Sequence, residues 1–326
     1  MGQVQGAGSR GRRGRGSLPR VDVGTCFGAA ADWLRRSVSG PTWTAYAKVW
    51  AEWAGFKRLA EVERADMEMG WLVVYFVSRH MEKVGSVSAL EKKLAALAFL
   101  FKLEGREDFT KTFWVRQAVK GYKKGRQSSD ARRPVTFSVL RRIFGVLGEV
   151  CSSAYEIRLF RAGFSVAFFG AFRVGELVSP SKRVPGGLLV NDVHLAEGKV
   201  VFRLKRSKTD QGGKGVGVSL YSLPGSEACP VGVVREFFKV RPKLGGPFLM
   251  HGDGSFVSRF QFTALFRKCL KKAGLDERLF ASHSFRIGAA TEAARCGLDE
   301  TAVKRIGRWE SRRFRSYVRP HLALDL

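Results

Sequence analysis

Ser282-His283-Ser284-Phe285-Arg286-Ile287-Gly288-Ala289 sets a histidine and an arginine three residues apart at the start of an apolar run. That spacing puts both side chains on one face of a helix near its N-terminus, with Ser282 available as the cap. Such a terminus favours a phosphate. Apolar periodicity carries this helix from Ser284 to Cys296. Around it, helices are expected over Phe137–Leu147, Glu156–Phe172, Val231–Val240, Phe260–Ala273 and Glu300–Arg308. Three short stretches, Leu188–His194, Val200–Leu204 and Val216–Leu220, read as strands. Glu197-Gly198 and the glycine-rich Gln211–Gly215 supply the turns between them. The fold class expected for this half is mainly α with a small antiparallel β-sheet.

Upstream, the pattern is helical throughout. Tyr46, Trp50 and Trp53 recur at i, i+4 and i+7 behind Pro41, and Met69–Met81 is a second apolar stretch. Val87, Leu90, Leu94, Leu97 and Phe101 step by three and four, an amphipathic helix. Phe113, Val115, Val119 and Tyr122 suggest a fourth, so residues 21–122 read as a small helical bundle. Aromatic stripes at this spacing are taken as core. Residues 123–133 lack apolar periodicity and carry Lys123, Lys124, Arg126, Arg132 and Arg133, the pattern of a basic linker. Residues 134–326 form the second domain. Residues 1–20 hold Arg10, Arg12, Arg13, Arg15 and Arg20, six glycines and no acid, and read as a disordered basic arm. The arm suits phosphate contacts, or serves as a solubilising or localisation tail.

Lys and Arg number 57 against 29 Asp and Glu, a net charge of +28 in 326 residues. A protein so charged repels itself unless a polyanion neutralises it, and nucleic acid is the usual one. Both halves contribute, with 23 basic and 13 acidic residues through position 130 and 34 and 16 beyond it. Two basic domains joined by a basic strap suit a clamp around double-stranded DNA. The apolar runs Trp71–Val77 and Ser165–Phe172 are too short for a bilayer, so no membrane is expected, and no secretory signal is present. Cys26, Cys151, Cys229, Cys269 and Cys296 form no CxxC pair, which points to reduced thiols in an intracellular protein and against structural zinc. Acid clusters for a metal-dependent nuclease, a GxxxxGK[ST] loop and a GxSxG elbow are missing, so neither metal nor cofactor is expected.

A basic constellation stands out against this background. Arg173 closes the apolar helix in Gly170-Ala171-Phe172-Arg173-Val174-Gly175-Glu176-Leu177, where a guanidinium is costly to bury without an anion. Lys208 sits in Arg206-Ser207-Lys208-Thr209-Asp210 on the tip side of the hairpin. Trp309 follows Gly307-Arg308, and Tyr317 stands eight residues later. Each residue alone is commonplace; their order is not.

That order resembles the tyrosine recombinase (phage integrase) family: Arg173, Lys208, His283 with Arg286, Trp309, then Tyr317. The resemblance covers about 133–319 and implies a two-domain architecture, a helical core-binding domain followed by a mixed α/β catalytic domain. The Gly-Arg-Trp segment and Phe314-Arg315-Ser316-Tyr317-Val318-Arg319 look most like recombinases of eukaryotic mobile elements, such as DIRS-like or Ngaro-like retrotransposons and cryptons. Trp309 stands where many bacterial members have His, and eight residues rather than nine separate it from the tyrosine. The resemblance implies DNA cleavage and rejoining through a 3′-phosphotyrosine without metal or ATP. Tyr317 would be the nucleophile, Arg173 and Arg286 the phosphate clamps, Lys208 the proton donor to the leaving oxygen, His283 an acceptor of the tyrosine proton or a phosphate contact, and Trp309 an N–H donor to the phosphate. Glu176 would orient His283 or hold Arg173. It implies a homotetramer on paired DNA sites, a monomer or weak oligomer without DNA, and a nuclear location in a eukaryote or the nucleoid and cytoplasm in a prokaryote. A type IB topoisomerase-like relaxing enzyme, a catalytically idle DNA-binding protein and a basic RNA-binding scaffold are the alternatives.

Overall fold

The computed structural model describes residues 32–63, 68–83, 85–124, 126, 130–205 and 215–323. Arg10, Arg12, Arg13, Arg15 and Lys208 lie outside the described residues. The chain divides into two compact units after Ser129.

The first unit is helical: α1 (Gly40–Glu63), α2 (Met69–Glu82), α3 (Val87–Leu103) and α4 (Phe113–Lys124), with a 3₁₀ turn at Phe109–Lys111. The Ser86 hydroxyl accepts the Ala89 N–H and caps α3. Trp53 is the hub of the core, edge-on to Phe76 at 5.2 Å and Phe101 at 6.0 Å, among Val73, Val77, Leu90, Leu97 and Val115. Burial of each such side chain contributes roughly 1.5–3 kcal/mol. Of the aromatic stripe on α1, Trp53 is buried, whereas Tyr46 and Trp50 are half-buried around Phe99. The indole N–H of Trp50 donates to the Ala96 carbonyl at 2.7 Å.

The second unit holds α5 (Phe137–Val150), α6 (Ala154–Phe169), the short α7 (Val174–Leu177), strands β1 (Val193–Ala196), β2 (Lys199–Leu204) and β3 (Val216–Tyr221), then α8 (Pro230–Val240), α9 (Arg259–Lys272), α10 (Ser284–Arg295) and α11 (Glu300–Gly307). The strands form one antiparallel sheet in the order β1-β2-β3. Gly198, at φ 65°, makes the tight turn that pairs Ala196 with Lys199. Val200, Phe202 and Leu204 of β2 point into the core, where Phe202 meets Phe172 at 5.5 Å. Helix α6 is buried from Leu159 to Phe168 except at Arg161 and serves as the central post.

Four expectations need correction. The helix expected to reach Phe172 stops at Phe169, because the chain reverses at Gly170-Ala171, with Ala171 at φ 44°. Arg173 therefore opens α7 rather than closing α6. The first strand begins at Val193, since Val190–Asp192 is a 3₁₀ turn. Ser282 does not cap α10; His283 holds the N-cap position, and the Ser284 hydroxyl accepts the Ala281 N–H. In the segment read as linker, α4 runs on through Lys124, and residues 130–133 belong to the second unit.

Candidate active site

Helix α10 sets the site. Phe285, fully buried, packs on Phe266 at 4.7 Å, Phe164 at 5.5 Å and Phe262 at 5.9 Å, which fixes the rotation of the helix. Gly288 lets the segment through Val135 cross the helix: a Cβ there would fall 1.8 Å from the Val135 carbonyl oxygen. With Phe285 held inward, Arg286 follows it into the interior and is 0% exposed. It donates from NH1 to the Ala171 carbonyl at 2.6 Å and from NH2 to the Gly307 carbonyl.

The turn at 170–173 brings in the second cation. Arg173 donates its backbone N–H to Glu176 Oε2 at 2.9 Å and its NH1 to Oε1 at 2.7 Å. Glu176 is 8% exposed. A third guanidinium reaches the same carboxylate. Arg308 ends α11 in the left-handed region at φ 55°, a position that glycine usually takes. Its side chain donates to Glu176 Oε2 at 3.0 Å and to the carbonyls of Gly170 at 2.8 Å and Ala171 at 3.3 Å. These bonds offset a backbone cost of roughly 1–2 kcal/mol.

Trp309 folds back over α11, which only Gly307 permits: a Cβ at Gly307 would meet the indole at 1.8 Å. The indole covers the Arg286 guanidinium at 4.5 Å and lies 4.8 Å from the Tyr317 ring. Tyr317 closes a 3₁₀ turn, Arg312–Tyr317, seated by buried Phe314 against α10 and α11. His283 Nε2 lies 3.0 Å from Tyr317 Oη.

Charge is unevenly matched here. Among the described residues, Arg173 and Arg308 share the Glu176 carboxylate, while Arg286 bonds to carbonyl oxygens. Burial, then Arg173 and Arg308, push the Arg286 guanidinium down to about 10. Burial first, and then Arg132, Arg286 and Arg173, push the His283 imidazole down to about 4, with Asp130 opposing them. The ring is neutral at physiological pH, so its Nε2, when unprotonated, accepts from the tyrosine hydroxyl. Among the described residues, Arg286 Nε and Trp309 Nε1 are buried donors without a partner, each costing roughly 1–3 kcal/mol, and an acceptor-rich anion relieves that cost.

The structure thus brings Arg173, Glu176, His283, Arg286, Trp309 and Tyr317 together, and Glu176 holds Arg173. The basic residues assigned to DNA contact are more dispersed. Lys123 pairs with Glu91 at 2.7 Å, Arg126 stacks on Tyr122, and Lys124 is exposed at the end of α4. Arg132 pairs bidentately with Asp130, and the Arg133 N–H donates to the Leu279 carbonyl. Sequence reasoning passed over Arg308. Its signal is a non-glycine residue directly after the helix-ending Gly307, a position that a side chain must stabilise.

No family model matches the chain. A curated relative, an integrase/recombinase XerD homologue of Selenomonas ruminantium, is 24% identical over 286 residues, covering 85% of this chain and 81% of its own. In fold, the chain is similar to XerH site-specific recombinase in a post-cleavage complex with its difH substrate (TM-score 0.63, 15% identity, 87% of this chain and 77% of that one). It is also similar to the Tn1549 transposon integrase in complex with circular intermediate DNA (TM-score 0.61, 13% identity, 89% and 93%). With the ordered motif residues gathered around one tyrosine, these likenesses give the chain the fold of the site-specific recombinase and integrase that it is similar to.

Proposed function

We propose that this protein is a site-specific DNA recombinase that cuts and rejoins DNA through a covalent bond between Tyr317 and a 3′-phosphate. The observation that carries the reading is fully buried Arg286 beside Arg173 and Arg308, which share the Glu176 carboxylate, next to a tyrosine hydroxyl already hydrogen-bonded to a neutral imidazole. In the cleavage step the Tyr317 Oη–P bond forms as the P–O5′ bond breaks. The hydroxyl proton passes to His283 Nε2. The leaving 5′-oxygen takes a proton, a role assigned to Lys208 from its motif position alone. Arg173 and Arg286 face the extra charge of the pentavalent transition state, and Trp309 adds one N–H donor. Rejoining reverses these steps with a 5′-hydroxyl from a partner strand, and because the covalent link conserves the bond energy, no ATP is consumed.

The biological setting follows the resemblance: service to a mobile element, assembly of four protomers on two duplexes, and action wherever the target DNA resides. The Gly-Arg-Trp and Tyr-Val-Arg segments favour an element of the eukaryotic kind, with a nuclear site of action. Among the described residues no helix is long and apolar enough to cross a membrane.

The test is a nicked suicide duplex carrying terminal or junction sequences of the source element. A denaturing gel is expected to show a protein–DNA band with the native chain and none with Tyr317→Phe. A band that persists in Tyr317→Phe overturns the assignment. Supercoil relaxation without recombinant product would point to the topoisomerase-like alternative. Lys208→Ala is expected to slow cleavage strongly at a normal 5′-oxygen and far less at a 5′-thio leaving group, which needs little protonation; equal slowing removes Lys208 from the acid role.

A further inference from the structure

The contact between His283 and Tyr317 joins two elements 34 residues apart, and Phe314 seats only one side of the turn that carries the tyrosine. The other side is held beyond the tyrosine. The Tyr317 carbonyl accepts from Thr291 Oγ1 at 3.2 Å, and the Arg319 N–H donates to the same hydroxyl at 3.0 Å. The Arg319 side chain then spans to the first residues of the second unit. Its NH1 donates to the carbonyls of Asp130 and Arg132, each at 2.9 Å, its NH2 to Asp130 Oδ2 at 2.6 Å, and its Nε back to the Ser316 carbonyl at 2.9 Å. Four bonds from one guanidinium, 11% exposed, are more than a surface ion pair makes. Asp130 is itself gripped by Arg132, at 2.7 Å and 2.6 Å.

The same segment is stitched to the base of α10. The Arg133 N–H donates to the Leu279 carbonyl at 2.7 Å, and the Val135 N–H to the Ser284 carbonyl at 3.0 Å, one residue past His283. Residues 130–135 therefore hold the histidine's helix at one end and the tyrosine's turn at the other.

We infer that Arg319 is a positioning residue: through Asp130 and the 130–132 backbone it sets the depth at which Tyr317 Oη meets His283. The inference rests on the recombinase reading. A misplacement of about 1 Å can cost about 100-fold in rate. The loss has a signature. With the hydroxyl at His283, the neutral imidazole takes the proton and cleavage is nearly flat across neutral pH. With the hydroxyl displaced, attack waits on its ionisation in solvent, and the rate climbs with pH toward about tenfold per unit. The charged groups acting on His283 are Arg132 and Asp130 of the strap, Arg286 of its own helix and Arg173 at the start of α7; Trp309 and Tyr317 pack beside it. All of these remain in an Arg319 variant.

The experiment measures single-turnover cleavage of the nicked duplex at saturating protein from pH 6 to 9, with thermal midpoint and DNA affinity recorded for each variant. Arg319→Met is expected to lose about 10- to 100-fold at pH 6.5 and to recover most of it by pH 9, with DNA affinity unchanged. Arg319→Lys and Asp130→Asn are expected to show the same pH slope with a smaller loss. A loss equal at every pH, or one that follows weakened DNA binding, overturns the inference, as does an Arg319→Met rate equal to the native rate throughout. If the native chain forms no covalent complex, or Tyr317→Phe still forms one, the recombinase reading itself fails; if only the Arg319 results depart, that reading stands without the strut.

Discussion

Positive charge at the site of the second unit is managed differently from that of the helical bundle. In the helical bundle, cations meet acids one to one at the surface: Lys123 with Glu91, Lys93 with Glu52, Arg106 with Glu104. At the site in the second unit Arg173 and Arg308 share the single carboxylate of Glu176, and Arg286 is fully buried beside them. The net charge of +28 does not distinguish these populations; burial and pairing do. Exposed pairs are screened and contribute little, whereas a buried excess of guanidinium is a standing demand for an anion.

That contrast can be broken at several points. Tyr317→Phe is expected to remove covalent DNA capture to below detection, a loss beyond about 1,000-fold, while every buried cation stays in place. A gel assay checks it. Phe285→Ala is expected to destabilise the fold by about 3–5 kcal/mol, because it empties the space between Phe164, Phe262 and Phe266. Denaturant unfolding would show it, and a loss below about 1 kcal/mol would mean that α10 is not seated as described. Arg286→Lys keeps the charge but not the fork and is expected to slow cleavage by about 100- to 1,000-fold at unchanged DNA affinity; near-native cleavage would strip the buried cluster of its role.

The acid side offers a fourth test. An unfolded histidine titrates near the ordinary value of about 6.5, whereas folded His283 sits at about 4. Between those values the unfolded chain binds more protons, so stability rises with pH across the window and is lost as pH falls toward 4. His283→Gln is expected to flatten that slope in unfolding experiments, and an unchanged slope would place the proton uptake elsewhere. At the small end, Lys123→Ala is expected to change stability by less than about 1 kcal/mol, since its pair is exposed on both sides. A larger effect would erase the difference between the two units.

Much of the site was legible because its motifs are local. His283 and Arg286 share a helix face, and the apolar period around them marks α10 directly. Other features are products of contacts distant in sequence. The apolar run through Phe172 hides the reversal at Gly170-Ala171, which exists because Arg286 and Arg308 bind those carbonyls from more than a hundred residues away. Leu188–Val190 is an apolar run of strand type, yet from Val190 the chain turns as a 3₁₀ segment through Asn191 and Asp192, residues that favour turns. The partnership of Asp130 with Arg319 spans 189 residues, a separation that periodicity cannot encode.

Tyr317, poised beside His283 and buried Arg286, is the residue expected to become bonded to DNA. Trypsin digestion of the trapped complex, followed by mass spectrometry of the DNA-linked peptide, reads the attachment point. Phosphodiester mass is expected on the peptide that begins at Ser316, located at Tyr317. Attachment at any other residue, or DNA recovered free of peptide from cleavage-competent reactions, contradicts it.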